Sequence, residues 1–344
     1  MSKNNVEPKG ERDPSENGAK GTGGRMYGVL VTFRRPDDLT ATLARLGEQD
    51  RPLDGLFVVD NAPSEETQEI VRRAAETATG SIEYLPMPEN LGFPGGISSG
   101  MNRVLKFASD DDWIVVLDDD DPPNTADTFS ELHRFAEEMV AADPRTACVG
   151  FGGGRYDTRK GRMVRVETAE LDGPVPVDFI GGNLFGCYRV GAVRSAGPWL
   201  AEIFFEYDEV EHGLRLRRAG YTLYAHGTVW KLRRAEAGRL DHVMVPAWGL
   251  DAPGWRRYYH VRNQIFILRR YGTRAAAARR TFVLGFAKPL ANLAVSPKRA
   301  IGHLRLSVKA SRDAWAGRMG RRVEPFPWGP RPAVRADRAG TRTR

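Results

Sequence analysis

No stretch of this 344-residue chain stays apolar for the roughly 20 residues of a membrane helix, so none reads as a span. The first 25 residues hold no apolar h-region, which argues against a secretory leader; polar and glycine-rich, they are expected to be a disordered tail. Cysteine is scarce. Cys148 and Cys187 lie far apart in apolar surroundings with no metal-type spacing, which suits buried thiols in a reducing cytosol. No internal repeat is present, which excludes solenoids and propellers. Acidic residues run short in one region only. Tyr271–Arg344 carries 3 Asp+Glu against 17 Lys+Arg, a net of +14 in a chain of net +7, which leaves −7 on the remainder. The basic tail reads either as a solvated extension or as contact with an anionic surface: membrane phospholipid, a lipid-linked phosphate or nucleic acid. It lacks regular aromatic interleaving and any nucleic-acid motif, so nucleic acid is not an expected partner.

What the chain does contain is alternation. Met26–Phe33, Gly55–Asp60, Ser81–Pro86 and Trp113–Leu117 read as strands, separated by helical patterns over about 37–48, one opened by Ser64–Thr67, and one over about 97–107. That order predicts an α/β fold with a mostly parallel sheet and right-handed crossovers. Further on, Asp127–Ala142 reads as a helix and Thr146–Phe151 as a strand. Phe179–Tyr188 is expected as one strand with a bulge, Tyr221–Ala225 and Thr228–Trp230 as strands, and 254–271, 281–295 and 299–315 as helices, the last two with basic faces.

The strand ends carry the polar groups. Trp113–Leu117 runs into Asp118-Asp119-Asp120-Asp121-Pro122, four carboxylates that repel one another. Either they form a solvated acidic turn, or a hard divalent cation relieves the repulsion. Ligands bind at the carboxyl ends of strands in such sheets. Thr32 with the Arg34-Arg35 loop, Asp60, and the Gly92, Gly95 and Gly96 cluster opening a helix all occupy such ends and suit a nucleotide. A second acidic stretch, Glu206–Glu211, looks like a helix start. The helix dipole and a Glu211–Arg215 pair four residues on give the charge a structural reading; a carboxylate held beside a ligand pocket as general base is the functional one.

VTFRRP (31–36), VVDN (58–61), ENLGFPGG (89–96), VLDDDD (116–121), FFEYDEVEHGLRLRRAGY (204–221) and YYHVRN (258–263), in this order, resemble the inverting GT-A glycosyltransferases of family 2, in the rhamnosyl- and galactofuranosyltransferase branch. The DEVE segment (208–211) is similar to galactofuranosyltransferases that start a galactan chain. The resemblance implies a GT-A fold, Rossmann-like with a mostly parallel sheet flanked by helices and a basic helical C-terminal extension. It divides the chain into a tail (1–25), a GT-A catalytic domain (26–250), a basic helical region (251–320) and a disordered basic tail (321–344). It implies a nucleotide-sugar donor of the galactofuranose or rhamnose class over Thr32, Arg34, Asp60, Asn90, Gly95, Gly96 and Asp119. Asp118 and Asp120 would hold Mg²⁺ or Mn²⁺, Glu209 would be the base with Asp208 on sugar hydroxyls, and Trp199 and His212 would line the acceptor pocket. The acceptor would be a glycan, a lipid-linked sugar or a small metabolite. The enzyme would work in the cytoplasm, peripheral at the inner face of the membrane if the basic region docks there. The pattern departs at Lys231, where the family often carries a metal-ligating His; a protonated ammonium would pair with the diphosphate instead. A nucleotidyltransferase, releasing pyrophosphate, and a non-catalytic nucleotide-sugar-binding protein are the competing readings.

Overall fold

The computed structural model describes residues 24–181, 184–240, 254–294 and 296–325. The tails expected before residue 24 and after 325 lie outside that range. The chain lays down β1 (Met26–Thr32), α1 (Pro36–Gly47), β2 (Gly55–Asp60), α2 (Glu65–Thr77), β3 (Ser81–Pro86), α3 (Gly92–Val104), β4 (Trp113–Asp118) and α4 (Thr128–Ala142) in alternation. The reason is visible in the burial. Residues Met26–Thr32 of β1 and Trp113–Leu117 of β4 are all buried. Side chains of a strand alternate between its two faces. Val29, Val31, Ile114 and Val116 therefore feed one core with Ile97 and Met101, while Leu30, Val115 and Leu117 feed the other with Leu39, Phe129 and Leu132. Each such aliphatic side chain contributes about 1.5–3 kcal/mol on burial. The first helix starts on Pro36 with Asp37 and Asp38 in its first turn, as the dipole favours, and Ser64 caps α2 by accepting from Thr67 N.

The second half is less regular: β5 (Thr146–Gly150), the hairpin β6 (Gly153–Asp157) and β7 (Arg162–Val164), short β8 (Pro174–Pro176) and β9 (Phe179–Ile180), β10 (Cys187–Arg189), α5 (Val190–Ala196), α6 (Asp208–Arg218), β11 (Thr222–His226) and α7 (Gly227–Glu236). The main sheet has eight strands in the order β3-β2-β1-β4-β10-β5-β11-β8. Strands β1 to β5 and β11 within it run in one direction; β10 runs against both its neighbours, β4 and β5, and β8 runs against β11. The carboxyl ends of β1, β2, β4, β5 and β11 thus form one rim. Helices α3 and α6, which precede strands of the same sense, begin at that rim.

Three local expectations are corrected. Phe179–Tyr188 is not one strand: Phe179–Ile180 joins the small sheet with β6, and Cys187–Arg189 enters the large one. Thr228–Trp230 is helical despite its β-prone residues, because His226 Nδ1 caps Val229 N and Trp230 packs into the core. The helix expected from 281 begins at α9 (Arg274–Phe282), capped by Thr273, and passes through a π turn (Val283–Ala287) into α10 (Lys288–Ala291). With α8 (Gly254–Tyr271) and α11 (Pro297–Trp315) these helices form a C-terminal layer. Its core, Trp255, Tyr258, Tyr259, Leu284, Ala310 and Ala314, takes in Phe204 from the loop before α6.

Candidate functional site

The rim gathers the carboxylates at the end of β4, and burial and partners set them apart. Asp119 points inward, 2 % exposed. It accepts from Thr32 Oγ1 (2.8 Å), Arg35 Nη1 (2.8 Å) and, at 3.4 Å, Phe33 N, while its own carbonyl accepts from Thr42 Oγ1 (2.7 Å). Expected to touch the donor, Asp119 and Thr32 instead spend their polar atoms on each other and tie β1 to β4. Asp118 is the last residue of β4, and Asp120 stands in the turn just beyond it. Burial first, then the charges of Asp120 and Asp119, push the Asp118 carboxyl up to about 7. Asp120 is paired with Arg35 Nη1 at 2.8 Å. Ligand oxygens of Asp118, Asp119 and Asp120 lie within 4.8 Å of one another. Asp119 is the most deeply bonded of the three, and Asp118 and Asp120, like charges close together, have the chemistry of a hard-cation pair.

Arg34, expected at the nucleoside, is exposed, with its guanidinium 5.3 Å from the Phe33 ring; the arginine that meets the carboxylates is Arg35. Asp60, buried at the end of β2, accepts from Tyr84 Oη (2.9 Å) and Ala62 N (2.8 Å). Beside Tyr84, a cavity of about 470 Å³ opens between Pro63, Ser64, Glu65, Gln68 and Pro86. Asn90 turns onto Gly92 N (2.8 Å), shaping the start of α3. Gly95 and Gly96 are buried, and protein fills their space: a Cβ at Gly96 would meet Val31 at 2.8 Å and one at Gly95 would meet Leu91 at 2.6 Å. Their small size serves helix packing. Gly92, at φ +73°, is the glycine the rim requires, for a Cβ there would stand 2.1 Å from the Phe204 carbonyl oxygen.

That contact brings the second acidic stretch to the same rim. Asp208 opens α6 and is buried beneath Glu209, which is half-buried. Burial, then the Glu209 charge, push the Asp208 carboxyl well above the usual carboxylate range, and the two side chains are hydrogen-bonded to each other. Asp208 is thus not placed to grip sugar hydroxyls as expected; Glu209 is the member of the pair with exposed surface. Glu211 is fully buried and bound by Arg215 (3.0 Å) and Tyr271 Oη (2.6 Å), a structural role. Trp199 and His212, expected against an acceptor, are 2 % and 0 % exposed. They stack around Tyr188 of β10, and burial keeps His212 neutral. They form the floor under the carboxylate pair and expose almost no surface to an acceptor.

Lys231 pairs with the exposed Asp172 at 2.9 Å and does not meet the aspartates. Two residues on, Arg233 lies over the rings of Phe151 and Phe185 and draws down the Asp121 carboxyl, which burial raises. His226 is likewise committed, to Glu131 (3.0 Å) and to the α7 cap. The cations beside the acidic run are thus Arg35 and Arg233, each a near neighbour in sequence of the residue expected there, Arg34 and Lys231.

The chain was compared with known proteins. Residues 29–195 match the model described as glycosyl transferase family 2. A galactofuranosyltransferase GlfT1 of Mycobacterium tuberculosis is 29 % identical over 280 residues, 76 % of this chain and 88 % of that protein. The GlfT1 of Mycolicibacterium smegmatis is 28 % identical over 261 residues, 72 % and 83 % of the two chains. Among solved structures, the mannosyltransferase PcManGT of Pyrobaculum calidifontis, in complex with GDP-Man and Mn²⁺, aligns over 88 % of each chain at 19 % identity and a TM-score of 0.44.

Proposed function

Because the chain is a glycosyltransferase whose residues 29–195 are a glycosyl transferase family 2 domain, we propose that it moves a sugar of the galactofuranose class from a nucleoside diphosphate to an acceptor hydroxyl, with inversion. The observation that carries this reading is the shared rim: the Asp118–Asp120 edge with Arg35, and Glu209 at the start of α6, both at the carboxyl ends of the strands. The name of the mycobacterial relatives favours galactofuranose over rhamnose, and with it a cell-envelope glycan or lipid-linked acceptor over a small metabolite.

The division of labour follows from the chemistry. Glu209 takes the proton of the acceptor hydroxyl, worth about 10²–10⁴ in rate. The acceptor oxygen bonds to the anomeric carbon as the bond to the diphosphate breaks, and that electron pair leaves with the diphosphate; a single displacement inverts the centre. Asp208, its carboxyl raised by burial and by Glu209, keeps the Glu209 carboxylate oriented through the hydrogen bond between them. The nucleoside lies over Asp60, Tyr84 and the adjoining cavity, and Arg35 and Arg233 offset charge on the diphosphate side. Asp118 and Asp120 would hold Mg²⁺ or Mn²⁺, which supplies charge neutralisation for the diphosphate. The expectation that Lys231 replaces that charge is withdrawn in favour of Arg233.

The test is a thermal-shift panel of UDP-, dTDP- and GDP-sugars with and without Mn²⁺, followed by transfer assays of Glu209→Gln. The variant should bind donor like the wild type and lose about 10²–10⁴ of its turnover. Normal turnover would remove Glu209 from the role, and release of pyrophosphate would move the chain to the nucleotidyltransferases.

The C-terminal layer supports docking at an anionic bilayer. Lys298, Ile301, Arg305, Val308, Arg312 and Trp315 recur at steps of three and four on α11 and are all exposed, so one helix face alternates cation and apolar body. Exchange of Lys298, Arg305 and Arg312 for Glu should abolish co-sedimentation with vesicles rich in anionic lipid. Co-sedimentation equal to the wild type would leave that face without this role.

A further inference from the structure

Phe204, Glu206 and Tyr207 hold φ of +64°, +60° and +69° without being glycine, and among the described residues only Arg34 and Phe185 share that region. Backbone of this kind persists where its surroundings over-determine it. The turn leads directly into Asp208 and Glu209, and its forward face meets Gly92 at the start of α3. What holds it from behind is one stretch of α8.

Asn263 donates from Nδ2 to three carbonyl oxygens of the turn region: Ile203 (3.2 Å), Phe205 (2.6 Å) and Glu206 (2.9 Å). Arg262 donates from Nη2 to Ile203 O (2.6 Å) and from Nε to Asn263 Oδ1 (2.9 Å), which fixes the amide's orientation. Gln264 donates to the Tyr207 hydroxyl and accepts from Arg280 Nε (2.6 Å), while His260 Nδ1 and the Glu206 carboxylate lie 2.9 Å apart. Arg262 and Asn263 are 0 % exposed and Gln264 2 %. Burying a guanidinium and two amides in a helix–loop junction is costly unless every donor is used, and an apolar contact would hold two elements together at lower cost. Here the donors converge on the carbonyls that the strained turn leaves without helix or sheet partners.

We propose that Arg262, Asn263 and Gln264 are positioning residues for sugar transfer: they hold the 203–207 turn in its left-handed form and thereby set Asp208 and Glu209 on the rim. The inference rests on the reading of Glu209 as the base. It makes the C-terminal layer part of the transfer machinery, with α8 bearing on the acid pair through the turn.

The experiment uses the full chain with UDP-galactofuranose and Mn²⁺ as probe. Asn263→Ala should bind one donor per chain with affinity like the wild type, so the folded fraction is counted. Its kcat should fall about 10²-fold, the loss expected when reacting groups shift by about 1 Å. Hydrogen exchange should quicken in a peptide spanning 203–210 and stay unchanged in β1 to β4. Gln264→Ala should behave likewise, and Gln264→Glu, which still accepts from Arg280 and now accepts from Tyr207, should recover most of the lost rate. Unchanged exchange in 203–210, or a fall in kcat matched by an equal fall in donor stoichiometry, overturns the proposal. Glu209→Gln run alongside separates the two readings: if it turns over normally the base assignment fails, while the exchange result still decides whether α8 holds the turn.

Discussion

The four consecutive aspartates are chemically alike, yet the structure assigns Asp119 and Asp120 opposite duties, and paired alanine variants expose the difference. Asp119→Ala removes a buried acceptor from Thr32 Oγ1 and Arg35 Nη1. Breaking a buried charged pair costs about 3–5 kcal/mol. Two effects reduce the figure: Arg35, 22 % exposed, keeps Asp120 at 2.8 Å, and loss of one negative charge eases Asp118. Burial also raises the Asp119 carboxyl against the pull of Arg35 and Thr32, which weakens the charge it offers. A net loss of about 2–3 kcal/mol follows, or roughly 5 °C in melting temperature for a chain of this size. Asp120 is 23 % exposed, so Asp120→Ala removes a pair worth about 0–1 kcal/mol and shifts the melt by about 2 °C at most. Its effect appears in binding: calorimetry with a nucleoside diphosphate and Mn²⁺ should show Asp120→Ala weaker by about tenfold or more, the 1.4 kcal/mol of one lost charge contact. Equal melting losses in the two variants, or an Asp119→Ala that melts like the wild type and binds no nucleotide, would refute the division.

Two further outcomes test the acid pair and the cations. Burial and the neighbouring Glu209 charge raise the Asp208 carboxyl well above its ordinary range, so the fold holds its proton more tightly than an exposed aspartate would. Asp208→Asn keeps a neutral donor to Glu209 and should retain most of the transfer rate at pH 7, whereas Asp208→Ala should lose it, as steady-state rates will report. Lys231→Ala, which removes only an exposed pair, should leave both stability and donor affinity within about 0.5 kcal/mol, while Arg233→Ala should weaken donor binding in the same calorimetry.

The alternation of Met26–Asp118 was legible because buried parallel strands are unbroken apolar runs, and a mostly parallel sheet flanked by helices with a helical C-terminal region is what the chain forms. The family was legible too, through motifs in order. Side-chain direction was not. Adjacent residues such as Arg34 and Arg35 look equivalent in a sequence, and a φ of +55° at Arg34 decides which one turns to the carboxylates. Period-two alternation does not separate Asp119 from Asp120, since both lie in the turn past the end of β4. Trp199 and His212 were misjudged because burial depends on Tyr188, whose strand enters the sheet from a distant segment. The role of YYHVRN was hidden for the same reason: Asn263 meets its three carbonyls across 57 to 60 residues of chain.

The strand β10 has three residues and runs against both neighbours. It is the seam along which two working halves of the sheet are sewn: contiguous β1 to β4 on one side, β5 with β11 on the other. On the proposed reading, a graft cut at that seam would carry the Asp60, Arg35 and Asp118–Asp120 side of the donor site into a new chain and leave Arg233 behind. Acceptor preference could then drift in evolution, or be exchanged by design, while the donor half keeps its own hydrogen bonds.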